Sequence, residues 1–282
     1  MPREDIMLCY PFEEKRLNQW NSLFIVQPKL DGDRCRAIFA EDGDVLLLSS
    51  EGNIFSSVPH IEEELKSLKL SGIELDGELY RHGLAHQDIH GIVSRTVNLH
   101  AEHEVIEFHV FDIVNSLPQH ERTTLLGKLI PDNLKYIKKV ESLIGNSIQD
   151  VTRYLDLCIK LGYEGIVLRH AYNLYMRKRS TQLMKFKPTK SDWYRIVSFN
   201  EEISIHGEPK DTLGALVLSS DTGDLFQVGS GSFLTAENRR TLWENREKLI
   251  GQIAHIKYQH LTKRSVPRFP VLINILPTKE GK

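Results

Sequence analysis

Phe24-Ile25-Val26-Gln27-Pro28-Lys29-Leu30-Asp31-Gly32-Asp33-Arg34 is the stretch on which the reading of this chain turns. Residues 24–28 predict a short strand, because β-favouring Phe, Ile and Val lead into it, and that strand ends at Lys29. Residues 34–39, the pair Asp42-Gly43 and residues 45–48 then predict a hairpin with a tight turn. An ammonium thus stands at a strand end, just ahead of an aspartate and an arginine. Alone, the hexapeptide 29–34 reads equally as a charged turn. A lysine amine is protonated in water, with a pKa of about 10.4, and is then no nucleophile. Burial and nearby cations lower that pKa and expose the lone pair.

Further segments add to this one. Glu74-Leu75-Asp76-Gly77-Glu78-Leu79 ends a predicted strand with carboxylates, and Phe108-His109-Val110-Phe111-Asp112 puts an aromatic beside an acid. Tyr163-Glu164-Gly165-Ile166-Val167-Leu168-Arg169 ends a helix and begins a strand. Leu183-Met184-Lys185-Phe186-Lys187 alternates, so both lysines leave one face of a strand. Each segment alone also has an ordinary reading. Glu78 and Glu164 suit solvated strand ends, Phe111 suits a core, and Lys185 and Lys187 suit a solvated edge.

Around these segments, residues 59–68 predict a helix, with Ile61, Leu65 and Leu68 at helical spacing. Residues 147–161 predict an amphipathic helix with Val151, Tyr154, Leu155, Cys158 and Ile159 on one face and Gly162 as its stop. Residues 73–80, 105–114, 164–169 and 183–187 predict strands. Residues 188–192 read as a linker or hinge. Beyond them short strands are expected at 194–200, 214–219, 225–228 and 255–258, with one helix at 236–248. That pattern suits a small barrel of the OB type. The expected fold is therefore α+β. A first domain, residues 1–188, is built of antiparallel sheets with helices, and a small OB barrel, residues 189–282, follows it.

Composition sets outer limits. Hydrophobic residues make up 40% and charged residues 26% of the 282 positions, the balance of a folded globular chain. No apolar run approaches the roughly 20 residues that cross a bilayer, and the charged start is not a secretory signal. The odd, scattered cysteines (Cys9, Cys35 and Cys158) point to free thiols in a reducing cytoplasm rather than to a disulfide framework or a structural zinc site. A net charge of −2 neither announces nor excludes a nucleic-acid partner, since phosphate binding needs a basic surface rather than a basic total. Local basic clusters exist at Arg177-Lys178-Arg179, at Lys185, Lys187 and Lys190, and between Lys257 and Arg268.

Taken in order, these segments resemble the covalent nucleotidyltransferase superfamily, specifically the ATP-dependent DNA ligases. The match runs K-x-D-G-x-R (Lys29 to Arg34), D-G-E (Asp76 to Glu78), F-D (Phe111-Asp112), E-G-x-x-x-R (Glu164 to Arg169) and K-x-K (Lys185 to Lys187). The mRNA capping enzymes share most of these motifs, and the long stretch between Glu164 and Lys187 looks like the ligase branch. The resemblance implies a nucleotidyltransferase (adenylation) domain followed by the OB domain. It implies that Lys29 attacks the α-phosphorus of ATP to give lysyl-AMP, that AMP passes to a DNA 5′-phosphate, and that a 3′-hydroxyl displaces it. It further implies that Lys185 and Lys187 neutralise the α-phosphate and help lower the Lys29 pKa. Arg34 and Glu78 would hold the ribose, Phe111 would stack on adenine, and Gln27 would read its edge. Glu164, with Glu78, would hold Mg²⁺ or Mn²⁺, and Asp31 would act in sealing. Arg177, Lys178, Arg179 and Lys263 would lie along the backbone of nicked double-stranded DNA. The implied protein is a monomeric, cytoplasmic enzyme of replication, recombination or repair, of the two-domain kind found in phages, viruses and bacteria. With the motif series starting this early, no further DNA-binding domain is expected ahead of it.

The chain departs from the family pattern twice. Ser49-Ser50-Glu51-Gly52 stands where a Ser-Arg pair is expected to meet the nick phosphate. At the end, Arg268, Pro270 and Lys279 match a motif that orients pyrophosphate, but Asn274, Leu276 and Thr278 replace its other charged residues. Rival readings are a ligase for RNA or RNA/DNA hybrid ends, a GTP-dependent capping enzyme, and a catalytically impaired nucleic-acid-binding protein.

Overall fold

Strand β2 (Phe24–Lys29) forms where the sequence predicts it, and its first residues are fully enclosed. The computed structural model describes residues 5–258, 261, 262 and 264–276. Contacts divide the chain into two compact units, residues 1–187 and 188–282. The first unit opens with β1 (Leu8–Pro11) and α1 (Glu14–Trp20) ahead of β2. Next come the hairpin β3 (Asp33–Phe39) and β4 (Val45–Ser49), α2 (Pro59–Ser67), β5 (Glu74–Tyr80) and α3 (His86–Val93). Then follow β6 (Glu107–Ile113), α4 (Gln119–Leu129), β7 (Ile137–Lys139), β8 (Leu143–Gly145), α5 (Ile148–Lys160), β9 (Gly165–His170) and β10 (Arg179–Phe186).

These strands make two sheets, ordered β1-β10-β9-β2-β8 and β4-β3-β5-β6-β7. Most pairs are antiparallel as expected, but β1 with β10 and β6 with β7 are parallel. A parallel neighbour requires a long crossover rather than a hairpin. Helix α4 supplies it between β6 and β7, and most of the unit separates β1 from β10. Neither crossover has a local signature in the sequence.

The decisive connection is Leu30-Asp31-Gly32. It carries the chain from β2 in one sheet to β3 in the other, so Lys29 and Arg34 stand on different sheets. Gly32 fits because a Cβ there would meet the Leu79 carbonyl oxygen at 2.2 Å.

Helices α2, α3 and α4 cover one sheet around Ile61, Leu65, Ile89, Leu126 and the strand residues Leu75, Leu79 and Phe108. Fully burying side chains of this size contributes roughly 1.5–3 kcal/mol each. Helices α1 and α5 cover the other sheet through Leu17, Trp20, Val151 and Cys158. The Ser147 hydroxyl caps α5 by accepting the Asp150 N–H, and Gly162 at φ 86° ends it. Tyr154 and Leu155 are half-buried, whereas Ile159, expected on the packed face, is 39% exposed. It lies in the last turn beside Cys158, which takes the buried position there.

In the second unit, β11 (Lys190–Ile203), β12 (Pro209–Ser219), β13 (Leu225–Val228), α6 (Ala236–Glu244), β14 (Ile253–Tyr258) and β15 (Val271–Leu276) follow one another. All its pairs are antiparallel, in the order β13-β12-β11-β14-β15. The Leu272 N–H donates to the Ser230 carbonyl just beyond β13 (2.8 Å), so the two edges of the sheet are stitched at one end in the manner of a small barrel. Tyr194, Ile196, Leu216, Phe226, Ile256 and Leu272 fill the core. The expected linker is shorter than the sequence suggested. Lys190, Ser191 and Asp192 open β11 and pair with Tyr258, Lys257 and Ile256, because the ladder with β14 outweighs their polar character. The helix expected at 236–248 stops at Glu244, and Arg246–Leu249 is a separate 3-10 turn. Asn245 leaves helical geometry and turns its amide back to the Thr241 carbonyl.

Candidate active site

Lys29 closes β2 opposite Gly165 of β9. Gly165 has φ 156°, and a Cβ there would meet the Phe186 carbonyl oxygen at 2.2 Å, so β9 and β10 approach closely only with glycine here. Gly165→Ala is expected to lower stability by about 2 kcal/mol or more, measured by thermal melting. A melting temperature unchanged from wild type would show that the strands part without cost.

That close approach gathers charge. Glu164 Oε2 lies 2.8 Å from Lys29 Nζ, which also donates to its neighbour's carbonyl, Leu30 O, at 3.1 Å. The other Glu164 oxygen accepts from Lys187 Nζ. A largely buried carboxylate thus sits between two ammoniums, one at the end of β2 and one just past β10, the strands on either side of β9.

On the opposite sheet Arg34 and Glu78 are cross-strand neighbours on β3 and β5. The Arg34 guanidinium binds both oxygens of the buried Asp76 (2.6 and 2.5 Å), and Tyr175 donates its hydroxyl to the same carboxylate at 2.6 Å. Burial by itself lowers the Arg34 pKa, but the charge and hydrogen bonds of Asp76, with Tyr175 and Glu78, together outweigh it and the net direction is up, so this guanidinium is permanently charged. Burial pushes the Glu78 carboxyl above the usual carboxylate range, against the pull of Lys29 and Arg34. A carboxylate whose folded-state pKa is raised binds more protons folded than unfolded, so its contribution to stability falls as pH rises through that pKa. Glu78→Gln is therefore expected to melt above wild type at pH 8, with the gap closing towards pH 4. A gap that widens on acidification would reverse the sign.

Beneath this layer lies a second buried network. Gln27, 2% exposed, donates from Nε2 to the Phe111 carbonyl (3.0 Å) and to Ser142 Oγ (2.9 Å), and accepts from Arg169 Nε at 2.6 Å. Asp112 accepts from Arg122 (2.8 and 3.1 Å) and from Arg169 (3.0 Å). The Phe111 ring is flanked by Arg34 at 4.6 Å and Arg169 at 5.0 Å from its centroid.

A cavity of about 940 Å³ opens between the sheets. Of the residues expected from the sequence, Lys29, Arg34, Glu78, Lys185, Lys187 and Arg179 line it. Gln27, Phe111 and Glu164 stand behind that wall. Asp31, half-buried in the crossing loop, does not line it either. Arg177 is held away on Glu74 (2.5 and 3.1 Å) and on the Asp5 carbonyl (2.6 Å), while Lys178 is exposed. Lys263 lies outside the described residues, as do Thr278 and Lys279 of the end motif. The sequence reading missed Asp33, His86, His90 and Arg95, all on the cavity wall. His86 and His90 are four apart on α3, a helical spacing that was a usable signal.

Among the described residues no cluster of three or more His, Cys, Asp or Glu side chains forms a metal site by itself. Glu164 already faces two ammoniums, and Glu78 offers a hard oxygen to the cavity. This donor set fits a magnesium ion that draws most of its ligands from phosphates and water.

The fold, then, is that of a nucleotidyl-transfer core followed along the chain by an OB-like unit, and the comparisons name the branch. The chain belongs to the family of ATP-dependent DNA ligase domains, whose model matches residues 6–187, and a DNA ligase OB-like domain matches residues 206–275. It is 28% identical over 264 residues to a DNA ligase of African swine fever virus, covering 86% of this chain and spanning only 60% of the viral protein. It is 25% identical over 268 residues to a DNA ligase of Haemophilus influenzae, covering 94% of this chain and 90% of that protein. A solved Lig E DNA ligase shares the fold, with a TM-score of 0.78 at 21% identity over 96% of this chain and 98% of that one. No described helix is long and apolar enough to cross a membrane.

Proposed function

We propose that this chain is an ATP-dependent DNA ligase that seals nicks in double-stranded DNA through a lysyl-AMP on Lys29. The observation that carries the reading is the Lys29 amine, 2.8 Å from Glu164, in one cavity with Lys185 and Lys187. The amine attacks the α-phosphorus, a P–N bond forms, and the bond to the β-phosphate breaks as pyrophosphate leaves. An oxygen of the nick 5′-phosphate then displaces Lys29, and the 3′-hydroxyl finally displaces AMP. Each step moves charge about phosphorus, so positioning and neutralisation are what the protein supplies.

Lys185 and Lys187 provide fixed cations, and Glu164 orients the amine. Glu78, on the cavity wall, accepts from the ribose hydroxyls, with Arg34 beside it. Stacking of adenine on Phe111 requires Arg34 to yield part of its place over the ring, and reading of its edge by Gln27 requires that amide to give up a bond to Ser142 or Arg169. Asp31 acts in sealing from the crossing loop. Glu78 and Glu164 would hold Mg²⁺ or Mn²⁺, which would supply further neutralisation of phosphate charge. Residues 1–188 form the adenylation domain and residues 189–282 the OB domain. Lys178, Arg179 and Lys263 meet the DNA backbone, with Arg177 as a further cation once released from Glu74. The enzyme acts as a monomer in the cytoplasm, either of a bacterium or of the host cell of a phage or virus that encodes it.

The test is incubation with α-labelled ATP or GTP and Mg²⁺, followed by nicked DNA, RNA or hybrid duplex. Label from ATP alone, transferred to and released by nicked DNA, supports the reading. Label from GTP, or no label with retained DNA binding, would replace it with a capping enzyme or a non-catalytic binding protein.

A further inference from the structure

The reaction proposed above brings two phosphates together, and the cavity has a part that the Lys29 cluster does not serve. Ser49 and Ser50 at the end of β4, and Ser94, Arg95 and Thr96 after α3, line the same cavity as Lys29. At the Lys29 end the cations have protein partners. Lys29 and Lys187 hold Glu164, Arg34 holds Asp76, and Arg179 holds the Cys9 carbonyl. Arg95 is different. It is exposed, it forms no ion pair among the described residues, and its one described hydrogen bond is a long one from Nε to the Gly91 carbonyl (3.4 Å). Both terminal amino groups of its guanidinium are therefore available to an anion.

Its surroundings suit an oxyanion. The Ser49 hydroxyl accepts the N–H groups of Glu51 and Asn53 (3.2 and 3.1 Å), which leaves its own proton for an acceptor. Helix α3 is tied to the start of β3 as well. His90 Nδ1 and Asp33 Oδ2 are 2.8 Å apart, and His86 Nε2 stands 3.6 Å from Asp33 Oδ1. Because Asp33 opens β3, just past Lys29, this clasp sets where Arg95 sits relative to the nucleophile.

We propose that Arg95, with Ser49 and Ser50, is the receptor for the 5′-phosphate of the nick. The assignment rests on the ligase reading. A planar guanidinium binds two phosphate oxygens at once and fixes their direction, which a single ammonium does not. The bound phosphate forms its bond to the AMP phosphorus as the P–N bond to Lys29 breaks and the electron pair returns to the amine. Arg95 offsets the repulsion between the two anionic phosphates in that step.

The experiment compares binding of duplexes whose nick carries a 5′-phosphate or a 5′-hydroxyl, together with single-turnover AMP transfer from isolated enzyme-adenylate to the nick. Arg95→Ala is expected to reduce both the preference for the phosphorylated nick and the transfer rate at least about tenfold, with Arg95→Lys recovering part of each. Wild-type preference and transfer rate in Arg95→Ala would overturn the assignment, and so would a defect confined to formation of the adenylate from ATP. Either result leaves the ligase reading standing so long as wild type forms the adenylate. If wild type forms none from ATP, that reading fails and the assignment falls with it.

Discussion

Lys29→Ala is expected to abolish transfer of label from ATP to the protein, by at least about a thousandfold, while the fold survives. Within the cavity wall, Lys29 is the amine that pairs with Glu164 Oε2 and stands at the strand end facing the opposite sheet. Lys187 holds the other Glu164 oxygen, so the carboxylate keeps a partner when Lys29 is removed. Lys29→Arg separates charge from nucleophilicity. A guanidinium retains the ion pair with Glu164 but has no accessible lone pair, so this variant is also expected to form no adenylate. Nicked DNA that already carries AMP on its 5′-phosphate needs no nucleophilic lysine, and both variants should seal it far better than they seal an ordinary nick. Retention of label by either variant, assayed on a denaturing gel, would remove Lys29 from the mechanism.

Asp112→Ala carries the largest expected cost to stability, about 3–5 kcal/mol, or roughly 10 °C in melting temperature. Asp112 and Arg122 are fully enclosed and Arg169 is nearly so. Removing the carboxylate leaves two guanidiniums buried without a counter-ion. Arg122 keeps its bonds to the Leu117 and Asn173 carbonyls (2.7 and 3.0 Å), and Arg169 keeps Gln27, but neither contact neutralises charge. Asp112→Asn still accepts one hydrogen bond and should lose less. Because Arg169 also flanks the Phe111 ring, the surviving folded fraction should show weaker apparent affinity for ATP. A loss below about 1 kcal/mol in a calorimetric melt would mean that water reaches the site and screens it.

Much of this molecule was legible before any coordinates. The run from Phe24 to Arg34 gave strand, loop and strand in the right places, because alternation, apolar runs and glycine act over a few residues. The helices over residues 59–68 and 147–161 were legible from spacing and capping for the same reason. Helices α1, α3 and α4 were not. Each is short or lacks a continuous apolar stripe, and α3 and α4 contain Gly91 and Gly127, so tertiary packing rather than propensity makes them helical.

By itself, then, the sequence determined the order of local elements and the set of residues with usable chemistry, since both follow from neighbours along the chain. Tertiary structure alone decided which of those residues meet. Arg34 reaches Asp76 and Tyr175, Gln27 reaches Arg169, and Glu164 lies between Lys29 and Lys187. It also brought His86, His90 and Arg95 to the cavity and held Arg177 away from it on Glu74. A charge in a sequence has no fixed partner. Its partner is chosen when burial removes water and the nearest opposite charge, however distant along the chain, becomes the best available substitute.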